Sequence, residues 1–330
     1  MVAEHGPVVG EMSEAAVLQA ILGRLGPSPV PVGPGDDAAV LDAGDGRIVA
    51  TVDTLVHGPD FRLAWTSGYD LGWKAAAVNL ADVAAMGARP TALLVALALP
   101  AGTALAFVTA VADGLRDACA ALAPGCTVAG GDLTVSQTLT VAVTALGVLD
   151  GAAPVLRSGA RAGDVVALAG DAGVAARGLQ ILFDRFRDGA GRPVPVDAQQ
   201  LSADDAHAVA QQLRPAPHIH LGPVAARAGA TAMMDVSDGL ALDASRLAAA
   251  SAVTLDLHTA ALGDDPALAL SGGEDHALLA TFPSDAVLPE GFRPIGRVRA
   301  AGDDRLSVDG SPYTGHTGWD PYRDGGTAGG

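Results

Sequence analysis

Basic side chains are scarce in this sequence: Lys and Arg number 20 against 37 Asp and Glu, for a formal net charge of −17 at pH 7. Such a chain lacks the cationic surface that displaces counterions from a phosphate backbone, so nucleic acid is not an expected partner. The same field repels a free polyphosphate at long range. Any phosphate-bearing ligand therefore needs cations between itself and the protein. Cysteine is nearly absent too. Cys119 and Cys126 offer neither a CxxC metal spacing nor a disulfide framework, and they are expected to be small buried thiols. Aromatic residues make up only 4%, so Ala, Val and Leu must do most of the packing within an apolar fraction of 49%. No run of about 18 apolar residues escapes a charge or a glycine, so no membrane span is expected. Glu4, Glu11 and Glu14 replace the basic start of a signal peptide, which makes a reducing, cytoplasmic location the default expectation. Also missing are the Gly-x-x-x-x-Gly-Lys-Ser/Thr phosphate loop and the protein-kinase motif set.

What is present reads as α/β in two halves, and 330 residues suit two domains. Residues 13–25 form an amphipathic helix, with Ser13 as N-cap, Val17, Leu18, Ile21, Leu22 and Leu25 as the stripe, and Gly26 as the stop. Pro27–Gly35 is a loop. Strands are expected at Ala38–Leu41 and Ile48–Val52 about the turn Asp42–Gly46, then a helix at Gly68–Gly87 and a strand at Thr91–Leu99. A helix at Leu105–Leu122 leads through Val128–Ala129 into a Gly130-Gly131-Asp132 turn and a strand at Leu139–Val148. The order is βαβαβ over 1–150. The Asp150-Gly151 turn starts a second domain, 151–324, followed by a disordered tail, 325–330. In that domain strands are expected at Val165–Ala169, Thr231–Val236 and Ala277–Phe282. Helices are expected at Ala175–Arg187, 204–213 and Leu240–Ala250.

Acidic residues recur in one context, beside Gly or a small residue where an apolar segment ends or is interrupted. The sites are Gly35-Asp36-Asp37, Val52-Asp53-Thr54, Asn79-Leu80-Ala81-Asp82, Gly130-Gly131-Asp132 and Asp235-Val236-Ser237-Asp238-Gly239. Most lie near expected strand ends, where α/β proteins hold ligands. Each has a plainer reading. Asp36, Asp37 and Asp53 could initiate turns, the glycines before Asp132 could serve a turn alone, and Asp238 could cap the following helix. Asp82 lies inside an apolar helix and must find a partner, either Lys74 or Arg89 or a cation. As a set the carboxylates suit Mg²⁺, which takes oxygen ligands and commonly bridges one or two carboxylates to phosphate. That is the equipment of phosphoryl transfer, which depends on positioning and charge neutralisation.

Taken in order, these blocks resemble the thiamine-monophosphate kinase family, in the superfamily of aminoimidazole ribonucleotide synthetase. The matching segments are Gly35-Asp36-Asp37-Ala38-Ala39-Val40, Asp53-Thr54-Leu55-Val56, Lys74 through Ala88, Gly130-Gly131-Asp132 and Arg157-Ser158-Gly159-Ala160. Asp235 through Leu240, Ser271-Gly272-Gly273-Glu274-Asp275 and Gly318-Trp319-Asp320 complete them. The resemblance implies a two-domain mixed α/β fold whose N-terminal sheet completes a barrel across a homodimer, with ATP as co-substrate and thiamine monophosphate as acceptor. It further implies that Asp37, Thr51, Asp53, Asp82, Asp132, Asp235 and Asp238 hold several Mg²⁺ ions. Gly131, Asp132, Arg157 and Ser237 would meet ATP, and Glu274 and Trp319 the thiamine moiety. Asp82, Asp132 and Arg157 would be the catalytic group. An aromatic face and a carboxylate at Trp319 and Glu274 also suit a flat cationic ring on their own chemistry.

Two positions depart from the family pattern. Asp60 stands where the family has a substrate-contacting His, and His57 lies three residues earlier. His57 could substitute, Asp60 could do a different job, or the substrate could differ. Val52 follows Thr51 where the family often has Thr, so it could serve a metal only through its carbonyl. The implied reaction is direct in-line transfer. A phosphate monoester with a second pKa of about 6 needs no strong general base, and no convincing His/Asp pair for one stands out. The rivals are another ATP-using synthetase of the superfamily, or a nucleotide and Mg²⁺ sensor without turnover. The selenium and hydrogenase-maturation branches would want a reactive Cys near one end, and none is there.

Overall fold

The structure, a computed structural model, describes residues 7–8, 11–12, 14–26, 43 and 46–319. Ser13, the loop 27–35, Asp36 and Asp37, the strand expected at 38–41, most of the 42–46 turn, Asp320 and the tail lie outside the described residues.

The first half opens with α1 (Glu14–Leu25), β1 (Ile48–Val56), α2 (Gly68–Ala85) and β2 (Arg89–Leu99). It continues with α3 (Leu105–Leu122), β3 (Thr127–Val135) and β4 (Thr140–Val148). The sheet order is β1-β4-β2-β3. Strands β2 and β3 are parallel about α3, and β4 runs antiparallel between β1 and β2. Strand β1 is longer than expected because Thr54-Leu55-Val56 continues the β-favouring alternation, so Asp53 lies within the strand and not at its end. Gly130-Gly131-Asp132 is likewise no turn: β3 runs straight through it. A Cβ at Gly131 would collide with the Val95 carbonyl, so the glycine permits the close approach of β2.

Helices α2 and α3 cover one face of this sheet. Helix α2 starts with a complete capping box, in which the Ser67 hydroxyl accepts from the Asp70 N–H and the Asp70 carboxylate accepts from the Ser67 N–H. Its seam with α3 is made of glycine. A Cβ on Gly72 would meet the Val111 carbonyl, and one on Gly114 the Tyr69 carbonyl, well inside contact distance. The opposite face of the sheet is uncovered, and Ile48, Val52 and Leu94 are exposed on it.

The second half supplies β5 (Val165–Ala169), α4 (Val174–Arg185), α5 (Ala203–Leu213), α6 (Leu221–Arg227), β6 (Ala232–Val236) and α7 (Leu240–Ser251). It ends with β7 (Thr254–Leu257), α8 (Pro266–Ser271), β8 (Ala277–Phe282), β9 (Arg293–Arg299), β10 (Leu306–Val308) and β11 (Ser311–Pro312). Its sheet has the order β11-β10-β7-β9-β5-β8-β6 and is antiparallel except for β10 beside β7. Helix α2 lies between the two sheets. It packs on β1, β2 and β4 on one side and on β6 and β8 on the other, and one continuous apolar core runs from Leu71 and Leu80 to Met233 and Phe282. Among the described residues no helix is long and apolar enough to cross a membrane.

The glycine seam sets a clear expectation. Gly72→Ala forces α2 off α3 and should lower stability by about 3 kcal/mol, as overpacking does. Urea unfolding of the variant beside the wild type measures it.

Candidate active site

The alternation of β1 turns Thr51 and Asp53 toward α2 and Val52 away from it. The Thr51 hydroxyl donates to Asp82 Oδ2 at 2.8 Å, and the Asp53 N–H donates to Asn79 Oδ1 at 3.0 Å. Asn79 is held in turn by its Nδ2, which donates to the Ala75 carbonyl at 2.9 Å. Asp82 thus pairs with neither Lys74 nor Arg89: Lys74 meets Glu274, and Arg89 meets Asp150. From the other side of α2, β6 brings in Asp235, 4% exposed, with Oδ2 3.2 Å from His276 Nδ1.

Three carboxylates, Asp53, Asp82 and Asp235, act on one another here. Burial, followed by the charges of Asp235 and Asp53, pushes Asp82 up to about 7 against the Thr51 bond and the His276 charge. Burial also raises Asp53, with Asp235 and Asp238 adding to it and His276 opposing. Burial disfavours charge on His276, yet the hydrogen bond and charge of Asp235, with Glu274, raise its imidazole overall. A buried His/Asp pair therefore exists that the sequence did not single out. At 6% exposure His276 orients Asp235 and is closed off from a substrate proton.

The exit of β6 gathers the rest. The backbone N–H groups of Ser237 and Asp238 donate to Asp243 Oδ2 at 3.1 and 3.0 Å, and Arg246 ties Asp238 to Asp243. Asp238 is not the cap of α7, whose N-cap is Gly239. Burial, with the charges of Asp235 and Asp238, raises Asp243 to about 6. The Ser237 carbonyl accepts from the Glu274 N–H at 2.7 Å, and the Asp238 carbonyl accepts from the Trp319 N–H at 2.9 Å. A Cβ on Gly273 would strike the Ser237 carbonyl and one on Gly318 the Asp238 carbonyl, so these glycines let three segments converge. Glu274 takes φ 69° and His276 φ 51°, a strained pair of left-handed residues about Asp275. The Asp275 carboxylate fixes that segment by accepting from the N–H groups of Gly173 and Ala175 at 2.6 and 2.8 Å. The Glu274 carboxylate reaches back to α2, where Lys74 Nζ lies 2.6 Å from Oε2, and it also accepts from Gln212 Nε2.

Other expected residues stand apart. The strand registers align Asp132 with Ala96, Ala142 and Thr54, on the uncovered face of the sheet and away from Asp53. Gly131 and Asp132 are exposed on β3, at the opposite edge from β1. Arg157 is exposed, and its carbonyl accepts from Ser251 Oγ at 2.6 Å. Val52 is 61% exposed on the uncovered face. His57 is exposed, with its ring 5.6 Å from that of Phe61. Asp60 accepts from the Val56 N–H at 2.7 Å and lines a pocket with Lys74 and Gln212. Asp37 lies outside the described residues. Sequence reasoning did not single out His276, Asp243 or Gln212. His276 directly follows the Ser271–Asp275 block and was the readable one.

Among the described residues no group of three or more His, Cys, Asp or Glu side chains is gathered tightly enough to hold one metal ion. The donor set is not an all-protein cage. It fits Mg²⁺, which takes one or two carboxylates per ion and completes its shell with water and phosphate oxygens. A carboxylate pushed to about 7 by its neighbours is also one that a dication returns to its charged form.

The chain is similar to known proteins in sequence and in fold. Residues 35–149 match the family model described as AIR synthase related protein, N-terminal domain. A thiamine-monophosphate kinase of Mycobacterium tuberculosis is 41% identical over 97% of this chain and 95% of its own. The solved thiamine-monophosphate kinase from Stenotrophomonas maltophilia K279a is 34% identical with a TM-score of 0.76, covering 92% of this chain and 98% of that one. The structure of AaThiL complexed with AMPPCP and TMP is 30% identical with a TM-score of 0.72, covering 82% and 86%.

The carboxylate cluster has a thermodynamic signature. In metal-stripped protein Asp82 keeps its proton up to about pH 7, whereas an unperturbed Asp releases it near 3.8. Between those values the folded state binds more protons than the unfolded state, so this group costs stability increasingly as pH rises from about 4 to about 7 and levels off above. Stripped wild type should lose stability relative to Asp82→Asn across that window, and Mg²⁺ should restore most of it. Thermal melts from pH 4 to 8, with chelator and with Mg²⁺, test this; a gap constant with pH would refute it.

Proposed function

The chain belongs to the thiamine-monophosphate kinase family, and from that premise we propose that it transfers the γ-phosphoryl group of ATP to thiamine monophosphate, giving thiamine diphosphate and ADP. The observation that carries this reading is the group of mutually interacting carboxylates Asp53, Asp82 and Asp235, beside the β6 exit loop on which the Glu274 and Trp319 segments close through backbone hydrogen bonds. One end of such a site suits phosphates, and the other a flat cationic ring.

Mg²⁺ ions held by Asp53, Asp82, Asp235 and Asp238, with Asp37 and the carbonyl or hydroxyl oxygens of Thr51 and Val52 as further donors, would supply the charge neutralisation between two anions. The chain's own residues do the positioning. The Thr51 hydroxyl and the His276 imidazole fix Asp82 and Asp235. Ser237 is aimed by the Asp243 clamp on its N–H and stands ready for a phosphate oxygen. Arg157, exposed directly after Leu156, whose carbonyl accepts from the Met233 N–H on β6, is the cation offered to the nucleotide. The acceptor is already a phosphate oxygen, ionised at neutral pH with a second pKa of about 6. An in-line displacement therefore needs no side chain to remove a proton, and the buried His276–Asp235 pair has only a positioning part.

Gly131 and Asp132 enter this reading through a homodimer. Asp132 shares the uncovered sheet face with Val52, Ile48 and Leu94, which a second copy would cover, and Gly131 is its exposed neighbour on the edge strand. Strands β1 and β3 are the open edges at which a sheet could extend into a barrel. A cytoplasmic location follows from the same reading.

Incubation with ATP, Mg²⁺ and thiamine monophosphate should yield thiamine diphosphate and stoichiometric ADP. Saturable ATP binding without either product would point to the sensor reading instead. Asp82→Asn should lower kcat by about 10²-fold or more with unchanged circular dichroism; a rate near that of the wild type at limiting Mg²⁺ would remove Asp82 from the site. Val52→Lys should halve the mass seen by analytical ultracentrifugation. An unchanged mass would place the dimer contact elsewhere.

A further inference from the structure

One buried polar atom has no partner. Among the described residues Gln212 Oε1 is the buried side-chain oxygen or nitrogen that makes no hydrogen bond. Buried polar groups are paired almost without exception, so an unpaired one asks for a reason. The orientation of this amide is determined by its surroundings. Its Nε2 donates to Glu274 Oε2, the oxygen that also takes Lys74 Nζ at 2.6 Å. Turning the amide over would set its carbonyl against that carboxylate. Lys74 Nζ also donates to the main-chain carbonyl of Gln212 at 3.2 Å, so both ends of the residue are tied down. Gln212 is 5% exposed.

Gln212 lines a pocket between α2, α4, α5 and the segment after β1. Asp60 and Lys74 are among its other polar groups, and Trp65, Leu179 and Leu182 give it apolar walls. Such walls suit a flat ring, and the polar groups suit a ring with a donor beside an acceptor. Oε1 of a Gln is an acceptor only, while a lysine ammonium carries three donors. Two of those on Lys74 are already committed, to Glu274 and to the Gln212 carbonyl. Thiamine carries such a ring: a pyrimidine whose exocyclic amine sits next to a ring nitrogen.

We propose that Gln212 is a specificity-determining residue for the substrate, its Oε1 accepting a hydrogen bond from the exocyclic amine of the aminopyrimidine, while the third donor of Lys74 meets the adjacent ring nitrogen. This rests on the kinase reading and deepens it. Glu274 holds the amide and the ammonium in the register that reads the pair. A ring with a carbonyl in place of the amine presents oxygen to oxygen at Gln212 and is rejected.

The test is calorimetric binding of thiamine monophosphate, and of its analogue with the ring amine replaced by a carbonyl, to the full-length wild type and to Gln212→Leu, followed by steady-state kinetics. Wild type should prefer the amine by about tenfold or more, the range expected for one unmatched buried hydrogen bond. Gln212→Leu should lose most of that preference by weakening the amine compound, with KM for thiamine monophosphate raised and KM for ATP unchanged. Equal weakening of both compounds would overturn the proposal, since Gln212 would then only brace Glu274 or hold a water. Equal affinity of wild type for both compounds would overturn it without any variant, and does so even if Gln212→Leu fails to fold. No binding or turnover of either compound by wild type would instead sink the kinase reading, and the proposal with it.

Discussion

Helix α2 is buried along most of its length, and it carries Lys74 and Asn79 inside and Asp82 part-buried. A charged or amide group there is largely cut off from bulk water, so each finds a partner in whatever packs against the helix. Lys74 takes the Glu274 carboxylate from the segment before β8, Asn79 takes the Asp53 N–H from β1, and Asp82 takes the Thr51 hydroxyl from the same strand. The polar content of one helix therefore specifies how both sheets sit on it. The glycine seam with α3 serves the same end, because it lets α2 lie deep enough to be enclosed. Packing and site are one constraint: whatever moves α2 moves Asp82 and Lys74 together.

Much of this was legible in the sequence, and the parts that were not share physical causes. Helices α1 to α5 and α7 were readable because each carries a long apolar period or small-residue run with a clear stop. Strand β9, Arg-Pro-Ile-Gly-Arg-Val-Arg, was hidden by its Pro, Gly and three Arg, and β7 by being four residues long. Helix α6 is short and follows a Pro/His loop. Asp53 and Asp132 were read as strand-end acids because a carboxylate in a strand interior is against propensity. Such local violations are where function is to be sought, and here β1 continues through one of them to aim it at α2. Periodicity placed Asp82 on a helix but could not show which wall it faces. That depended on a pairing between strands far apart in the sequence, β1 with β4.

The excess of negative charge looks at first like a poor basis for handling ATP. The site turns it to use. Asp82 sits near neutrality in its titration because Asp235 and Asp53 oppose its ionisation and burial removes the water that would relieve it. A dication held by one or two of these carboxylates would relax a repulsion the fold maintains in its absence. His276, whose imidazole is raised by the hydrogen bond and charge of Asp235 against the effect of burial, braces Asp235 through that hydrogen bond. Asp243 does the corresponding work for the β6 exit loop by accepting from the backbone N–H groups of Ser237 and Asp238. Neither residue needs to touch a ligand to matter.

Asp60 stands where the family resemblance implies a histidine, and its surroundings show what the carboxylate does there. Its carboxylate closes the turn after β1 by accepting from the Val56 N–H, a job an imidazole could not do with the same geometry. The same group borders the pocket of Lys74 and Gln212 and is raised by burial, with the Glu274 charge adding and the Lys74 charge opposing. Asp60 and Glu274 both feel the buried Lys74 ammonium, and Arg62 is a second cation on the wall of the same pocket. Two carboxylates and two cations leave no formal excess of either sign there. Asp60 therefore has a structural part, closing the turn after β1, that does not depend on meeting a ligand.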